Sequence, residues 1–159
     1  MHSSRFMRIC RTIATLGPIG YLPASGTITT LISAALFFGI ANFGMLPISL
    51  HQAVLPLIFF GTIVIHYAAQ TFDNNDPSEI VIDEVLGYTF AMSIFPHTLL
   101  WYAATIFVFR LFDIIKPLGI KKLEQIPGAA GILLDDLLAA LYTQISLILL
   151  CIGYDLCFR

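Results

Sequence analysis

Charge is what this sequence has least of. Only 11% of its 159 residues are Asp, Glu, Lys or Arg, where a soluble domain carries about 25%. So few charges cannot cover a globular core in water, and the 58% hydrophobic content points the same way. Ten acids against eight bases leave a net charge of −2, too weak a field to recruit a polyanion, which excludes an electrostatic nucleic-acid binder. Cysteine is scarce as well. Cys10, Cys151 and Cys157 are odd in number and lack metal-ligand spacing, which excludes a disulfide scaffold and leaves them as apolar fillers. Internal repeats, low-complexity tracts and linkers are absent, and the hydropathy excludes disorder. What remains is a membrane protein, expected to form one domain over residues 1–159.

The few charges are placed unevenly. None falls in the 61 residues from Thr12 to Phe72, the 25 from Val85 to Phe109, or the 18 from Leu137 to Tyr154. A crossing helix needs about 20 apolar residues, so the first stretch holds two, with a turn at 42–52 marked by Asn42, Gly44, Pro47 and Gln52. The positive-inside bias puts Arg5, Arg8 and Arg11, in an N-terminal arm of residues 1–15, in the cytoplasm. One crossing over 85–109 would strand Arg110, Lys116, Lys121 and Lys122 on the far side. A hairpin turning at Pro96-His97 keeps all four inside, at the cost of short legs.

The expected fold is therefore all-α: a multi-pass membrane bundle of about five helices, at 27–41, 52–71, 77–95, 98–115 and 133–152. Asp76-Pro77-Ser78-Glu79 reads as the start of the third, with Asp as N-cap and Pro in the first turn. Pro117 and Gly119 stop the fourth. Arg5 to Arg11 followed by apolar residues and Ala24-Ser25-Gly26 has the outline of a secretory signal, but two glycines and two prolines between Gly17 and Pro23 interrupt it. His66 and His97 read as packing or interface residues.

Five carboxylates, Asp83, Glu84, Asp113, Asp135 and Asp136, stand at the edges of uncharged stretches. Ionised groups are costly in a bilayer, and adjacent acids repel one another. A divalent cation relieves both, and all-carboxylate ligation suits Mg²⁺ or Mn²⁺. Neighbours on a helix diverge by about 100°, so one member of each adjacent pair is expected to face the metal. Arg110, Asp113 and Lys116 stand three apart: an intrahelical ion-pair ladder, or a metal ligand flanked by two cations that hold phosphate oxygens. The glycine-rich run from Gly17 to Thr27 enters a helix, either as a breaker-rich approach to the membrane or as a set of free N–H groups for an anion. It lacks the Lys of a P-loop.

Four segments together resemble the phosphatidylglycerophosphatase A family of bacterial membrane phosphatases: LGPIGYLPASGT (16–27), DPSEIVIDEVLGY (76–88), FRLFDIIKP (109–117) and GAAGILLDDLLAALY (128–142). They stand in the family's order and spacing from Leu16 onward. Departures fall on uncharged positions: Ser25 where Pro is usual, Thr29-Thr30 for Gly-Ser, Leu118-Gly119 for Trp-Pro, and Gly-Ala-Ala-Gly before the aspartate pair. The resemblance implies an all-α, Mg²⁺-dependent enzyme of the bacterial inner membrane that converts phosphatidylglycerophosphate to phosphatidylglycerol, and the hairpin topology puts its acids on the cytoplasmic face. It implies catalytic positions at Asp83, Glu84, Arg110, Asp113, Lys116, Asp135 and Asp136. The five acids would hold the metal, and Arg110, Lys116, Gly26 and Thr27 would hold the phosphate.

On that reading water attacks a phosphate monoester, oriented or deprotonated by Asp136 or Glu84, and an aspartyl-phosphate intermediate is the alternative chemistry. Two other functions compete. A small ion transporter explains intramembrane acids but gives Arg110, Lys116 and the glycine-rich loop no task. A CDP-alcohol phosphotransferase also gathers aspartates at the interface, but its long Asp/Gly/Arg signature is absent. The sequence names no protein partner.

Overall fold

A computed structural model describes residues 2–43, 50–74, 77–117, 119–123 and 125–158. Seven α-helices and one 3₁₀ turn, and no strand, occur among the described residues: α1 (His2–Ala14), η1 (Ile19–Tyr21), α2 (Ser25–Asn42), α3 (Leu50–Ala69), α4 (Ile82–Met92), α5 (Leu99–Ile115), α6 (Ile120–Leu123) and α7 (Ala129–Phe158). Three of these, α2, α3 and α7, are long and apolar enough to cross a membrane. Their outward faces carry exposed Leu36, Leu55, Phe59 and Leu150, a surface suited to lipid rather than water. The chain is a membrane helical bundle. The middle of the expected turn at 42–52, including Gly44 and Pro47, lies outside the described residues.

Helix α4 is the hub. Its 11 residues rise only about 16 Å, roughly half the ~30 Å of a hydrocarbon core, and most of them are buried. It packs against α2, α3, α5 and α7. A helix that stops inside a bundle must satisfy its last carbonyls internally. Gln144 of α7 does this, its Nε2 donating to Phe90 O at 2.7 Å, with Ser93 Oγ on the same carbonyl at 2.8 Å. Elsewhere Thr30, Ser33, Thr89 and Thr143 turn their hydroxyls onto carbonyls four residues back, the usual way to hide them in apolar surroundings.

The chain then reverses over residues 93–98, so the expected hairpin is present. Thr98 N donates to Pro96 O at 2.8 Å, and Phe95 stacks on Trp101 with centroids 4.7 Å apart. His97 Nδ1 lies 3.0 Å from Tyr102 Oη, a packing role, while His66 is exposed beside Gln70 and Tyr67. Neither histidine meets the acids.

Three departures from expectation bear on the site and its surroundings. First, α4 begins at Ile82, not at residue 77. Asp76 lies outside the described residues, and Pro77–Ile80 form a turn closed by Ile80 N on Pro77 O. Val81 N is claimed by Ala14 O at the end of α1, a tertiary bond that holds this segment out of the helix. Second, α7 starts one turn earlier than residue 133. Third, the N-terminal arm is itself helical. Cys10 and Ala14 of α1 are buried against α3, Arg5 and Arg8 are exposed, and Arg11 lies 4.1 Å over the Phe72 ring. Of the cysteines, Cys10 fills the core and Cys151 faces outward.

Small residues let the helices approach. A Cβ on Gly61 of α3 would overlap Leu86 Cδ1, and one on Gly87 would stand 3.0 Å from both Asp136 Cβ and Phe109 Cζ. Gly87 thus brings the acid-bearing turn of α7 against α4.

Candidate metal and phosphate site

Four helix ends meet at one end of the bundle. The N-termini of α2, α4 and α7 and the C-terminus of α5 surround a pocket of about 490 Å³. Asp83 and Glu84 come from α4, Arg110 and Asp113 from α5, Lys116 from the residue after α5, and Asp135 and Asp136 from α7. All seven charged residues expected from the sequence line this pocket. Because α4 starts five residues late, Asp83 and Glu84 occupy its first turn, where the helix dipole favours negative charge. The hairpin carries Arg110 and Asp113 back to the same end.

Three of the acids converge. Asp83, Glu84 and Asp136 each offer an oxygen, and these atoms lie within 4.8 Å of one another. The expectation that only one member of an adjacent pair faces inward fails for Asp83-Glu84. The longer Glu side chain reaches round the first turn to the point its neighbour faces. It holds for the other pair, where Asp136 joins the cluster and Asp135 accepts a 2.7 Å bond from Lys116 Nζ. Asp113 lies 2.5 Å from Arg110 Nη1.

Electrostatics alone would not assemble this cluster. Burial raises the Asp83 carboxyl well above its usual range, and the neighbouring Glu84 and Asp136 raise it further. Burial also raises Glu84. Both sit in α4, which is too short to span a membrane. Asp83 Oδ1, Glu84 Oε2 and Asp136 Oδ2 are buried and accept no hydrogen bond. Unmade bonds on buried charged acceptors are expensive. A hard divalent cation would satisfy all three at once, and the all-oxygen donor set fits one.

Beside this demand for a cation stands a demand for an anion. Arg110 Nε is buried without an acceptor, and the Arg110 side chain lines the same pocket as Lys116. The first turn of α2 adds backbone donors. Its cap, Ala24, is left-handed at φ 55° and gives no side-chain bond, so the leading N–H groups beside Ser25 and Gly26 have no intrahelical partner. Gly26 is required for space: a Cβ there would overlap Glu84 Oε1 and stand 3.1 Å from Arg110 Nη1. Thr27, grouped with Gly26 from the sequence, lines an apolar groove on the other side of Arg110 instead.

Some lining residues were not read from the sequence. Tyr21, Leu22, Ser78 and Glu79 also line the pocket, where the 15–24 loop lies on the 77–80 turn so closely that a Cβ on Gly20 would overlap Glu79 O. Nothing in their spacing announces that contact, because residues about 60 apart meet only in the fold.

The phosphatidylglycerophosphatase A family model matches residues 12–151 of the chain. A Bacteroides thetaiotaomicron protein named "Putative phosphatidylinositol-3-phosphatase" is 34% identical over 79% of the chain and 83% of its own length. The phosphatidylglycerophosphatase A of Haemophilus influenzae is 30% identical, covering 77% of the chain and 76% of that protein. That of Escherichia coli is 32% identical over 59% and 56%. No solved structure matches the chain.

Proposed function

The chain belongs to the phosphatidylglycerophosphatase A family of phosphatases, and from that premise we propose that it hydrolyses phosphatidylglycerophosphate to phosphatidylglycerol and phosphate. The observation that carries this reading is the adjacency of two unmet demands in one pocket. Three buried carboxylate oxygens lack a donor, and the Arg110 Nε beside them lacks an acceptor. A phosphate monoester held next to a divalent cation answers both. A transported ion would answer only the first, which argues against the transporter reading.

Asp83, Glu84 and Asp136 would hold the cation, which we take to be Mg²⁺. When bound, it supplies Lewis-acid stabilisation of charge on the phosphoryl group. Arg110 directs its free Nε at a phosphate oxygen, and Asp113 fixes the guanidinium plane from the other side. Lys116, anchored by Asp135, brings a second positive charge to the same wall. The uncapped start of α2 offers N–H donors to the remaining oxygen. Glu84 or Asp136, both in the cluster, would accept a proton from the attacking water as the P–O bond to the lipid glycerol breaks, and that proton would pass to the departing alkoxide oxygen. Asp113 and Asp135 act through their ion pairs.

The site would lie at the cytoplasmic face of a bacterial inner membrane, since Arg110 and Lys116 line it and Lys121 and Lys122 follow on α6 directly after α5, where the positive-inside bias puts basic residues. Another membrane phosphomonoester is the second reading, and the name of the Bacteroides relative suggests phosphatidylinositol 3-phosphate. Purified protein in mixed micelles, given each lipid with Mg²⁺ and after chelation, tests both. Phosphate release from phosphatidylglycerophosphate that chelation abolishes is the expected result. Release from phosphatidylinositol 3-phosphate alone would transfer the assignment to that head group, and release indifferent to chelation would end the metal reading.

A further inference from the structure

On its α2–α5 side the polar pocket continues into an apolar groove. Arg110 stands at the junction: it lines the pocket and also a cavity of about 320 Å³ bounded by Thr27, Phe107, Leu111 and Ile114. A second cavity of about 310 Å³ follows along the same pair of helices, between Ala34 and Ala35 of α2 and Leu99 and Ala103 of α5. Ile106 lines both. The two therefore form one seam. Its lining runs along α5 from Leu99 to Ile115 and along α2 from Thr27 to Phe38, and the facing alanines hollow it out.

The reach of the seam from Arg110 decides what fits. Leu99 and Arg110 are eleven residues apart on a continuous helix, about 16 Å at 1.5 Å per residue. That is roughly half of a ~30 Å hydrocarbon core, the depth of one leaflet. The seam is open sideways, with Phe107 70% and Leu31 50% exposed, and the Arg110 cation stands on its wall. By contrast, the apolar cavity between α5 and α7, around Trp101 and Leu147, shares no residue with the polar pocket.

Building on the lipid-phosphatase reading, we infer that the α2–α5 seam is the acyl-chain subsite: one fatty-acyl chain of the substrate lies along it while the phosphate is held at Arg110. The occupant is a lipid chain because the groove is apolar, reaches about one leaflet's depth from Arg110, opens to the side and joins the pocket where a phosphate is recognised. Substrate then reaches the pocket by lateral diffusion in the membrane, with the seam setting its depth and orientation.

Two experiments test this. In the first, wild-type protein in vesicles is irradiated with phosphatidylglycerophosphate carrying a diazirine midway along one acyl chain, and the labelled peptides are mapped. Label concentrated on α2 and α5, and suppressed by excess unlabelled substrate, is expected. In the second, Ala103→Trp fills the seam. It should raise KM for long-chain substrate by on the order of tenfold or more, since a hydrophobic pocket discriminates single methylenes to about that degree. Turnover of the deacylated head group, glycerophosphoglycerol phosphate, should stay unchanged. Leu55→Trp on the lipid-facing side of α3 serves as the control and should change neither.

Label spread evenly over α3 and α7 would overturn the inference, as would an Ala103→Trp effect equal for both substrates. Because labelling uses wild-type protein, it decides even where the Trp variant folds poorly. A wild-type protein that hydrolyses both substrates but takes label elsewhere loses only the groove. One that hydrolyses neither loses the phosphatase reading on which the groove rests.

Discussion

Replacing Gly26 by Ala should disable the site while leaving the fold intact or slightly firmer. Gly26 is the second residue of α2, and a methyl group there would overlap Glu84 Oε1 and stand 3.1 Å from Arg110 Nη1. Reaching ordinary van der Waals contact requires the Glu84 carboxylate to withdraw by about 1 Å. It can do so cheaply, because the overlapped atom is the end of a flexible side chain. The consequence falls on the cluster, whose three oxygens lie within 4.8 Å of one another and which cannot spare one. A misplacement of about 1 Å at a reacting centre costs on the order of 10²-fold in rate, so kcat/KM should fall by about that factor and the divalent-cation requirement should rise. Helix propensity moves the other way, since Ala in a helix is up to about 1 kcal/mol better than Gly. Thermal unfolding in detergent should therefore show no loss of stability. A double mutant sharpens the logic: Glu84→Asp shortens the obstructed side chain, so Gly26→Ala should cost far less in that background than in the wild type. Near-normal activity of Gly26→Ala, or costs that simply add in the double mutant, would refute the assignment of Glu84 to the cluster.

Asp83→Asn and Asp136→Asn should each lower phosphate release by at least about 10²-fold, more than the loss typical of groups that merely orient a metal ligand. Metal-free stability should be kept or raised, because each change removes repulsion within the acid cluster, and circular dichroism with chelator present would check it. Arg110→Lys should behave as a severe change, since an ammonium offers no planar fork to share between Asp113 and a phosphate oxygen; metal titration should show an unaltered cation requirement with turnover depressed. A cysteine at Lys121, in a chain whose own cysteines are replaced by serine, should resist a membrane-impermeant thiol reagent in intact cells and react once the membrane is opened. Labelling in intact cells would put the pocket on the opposite side of the membrane.

How much of this was legible without coordinates follows from the range over which each interaction acts. Membrane character and all-α class are averages over long windows, so the 61 uncharged residues from Thr12 to Phe72 announced two crossings unaided. The hairpin was legible too, because stranding four basic residues on the wrong side costs more than a Pro96 turn. Even the seven charged pocket residues could be named, since a charge beside a long apolar run has few reasons to be there. The helical arm at 2–14 carried a readable signal in the spacing of Cys10 and Ala14, but its arginines drew attention as topology markers.

Tertiary structure alone decided the rest. The start of α4 at Ile82 depends on a bond from Val81 N to Ala14 O, between residues 67 apart, which outweighed the local Pro77 start signal. That shift put Asp83 and Glu84 in a first turn and let both reach the cluster. The partition of the acids, with Asp136 in the cluster and Asp135 on Lys116, depends on the rotation of α7 against α4, and therefore on Gly87. Gln144 reads as an odd polar residue in an apolar helix until the buried end of α4 is seen to need a donor. Short-range pattern declares which residues dislike lipid. Only the packing of helices against one another determines which of them face each other across a pocket, because that is fixed by contacts far apart in the chain.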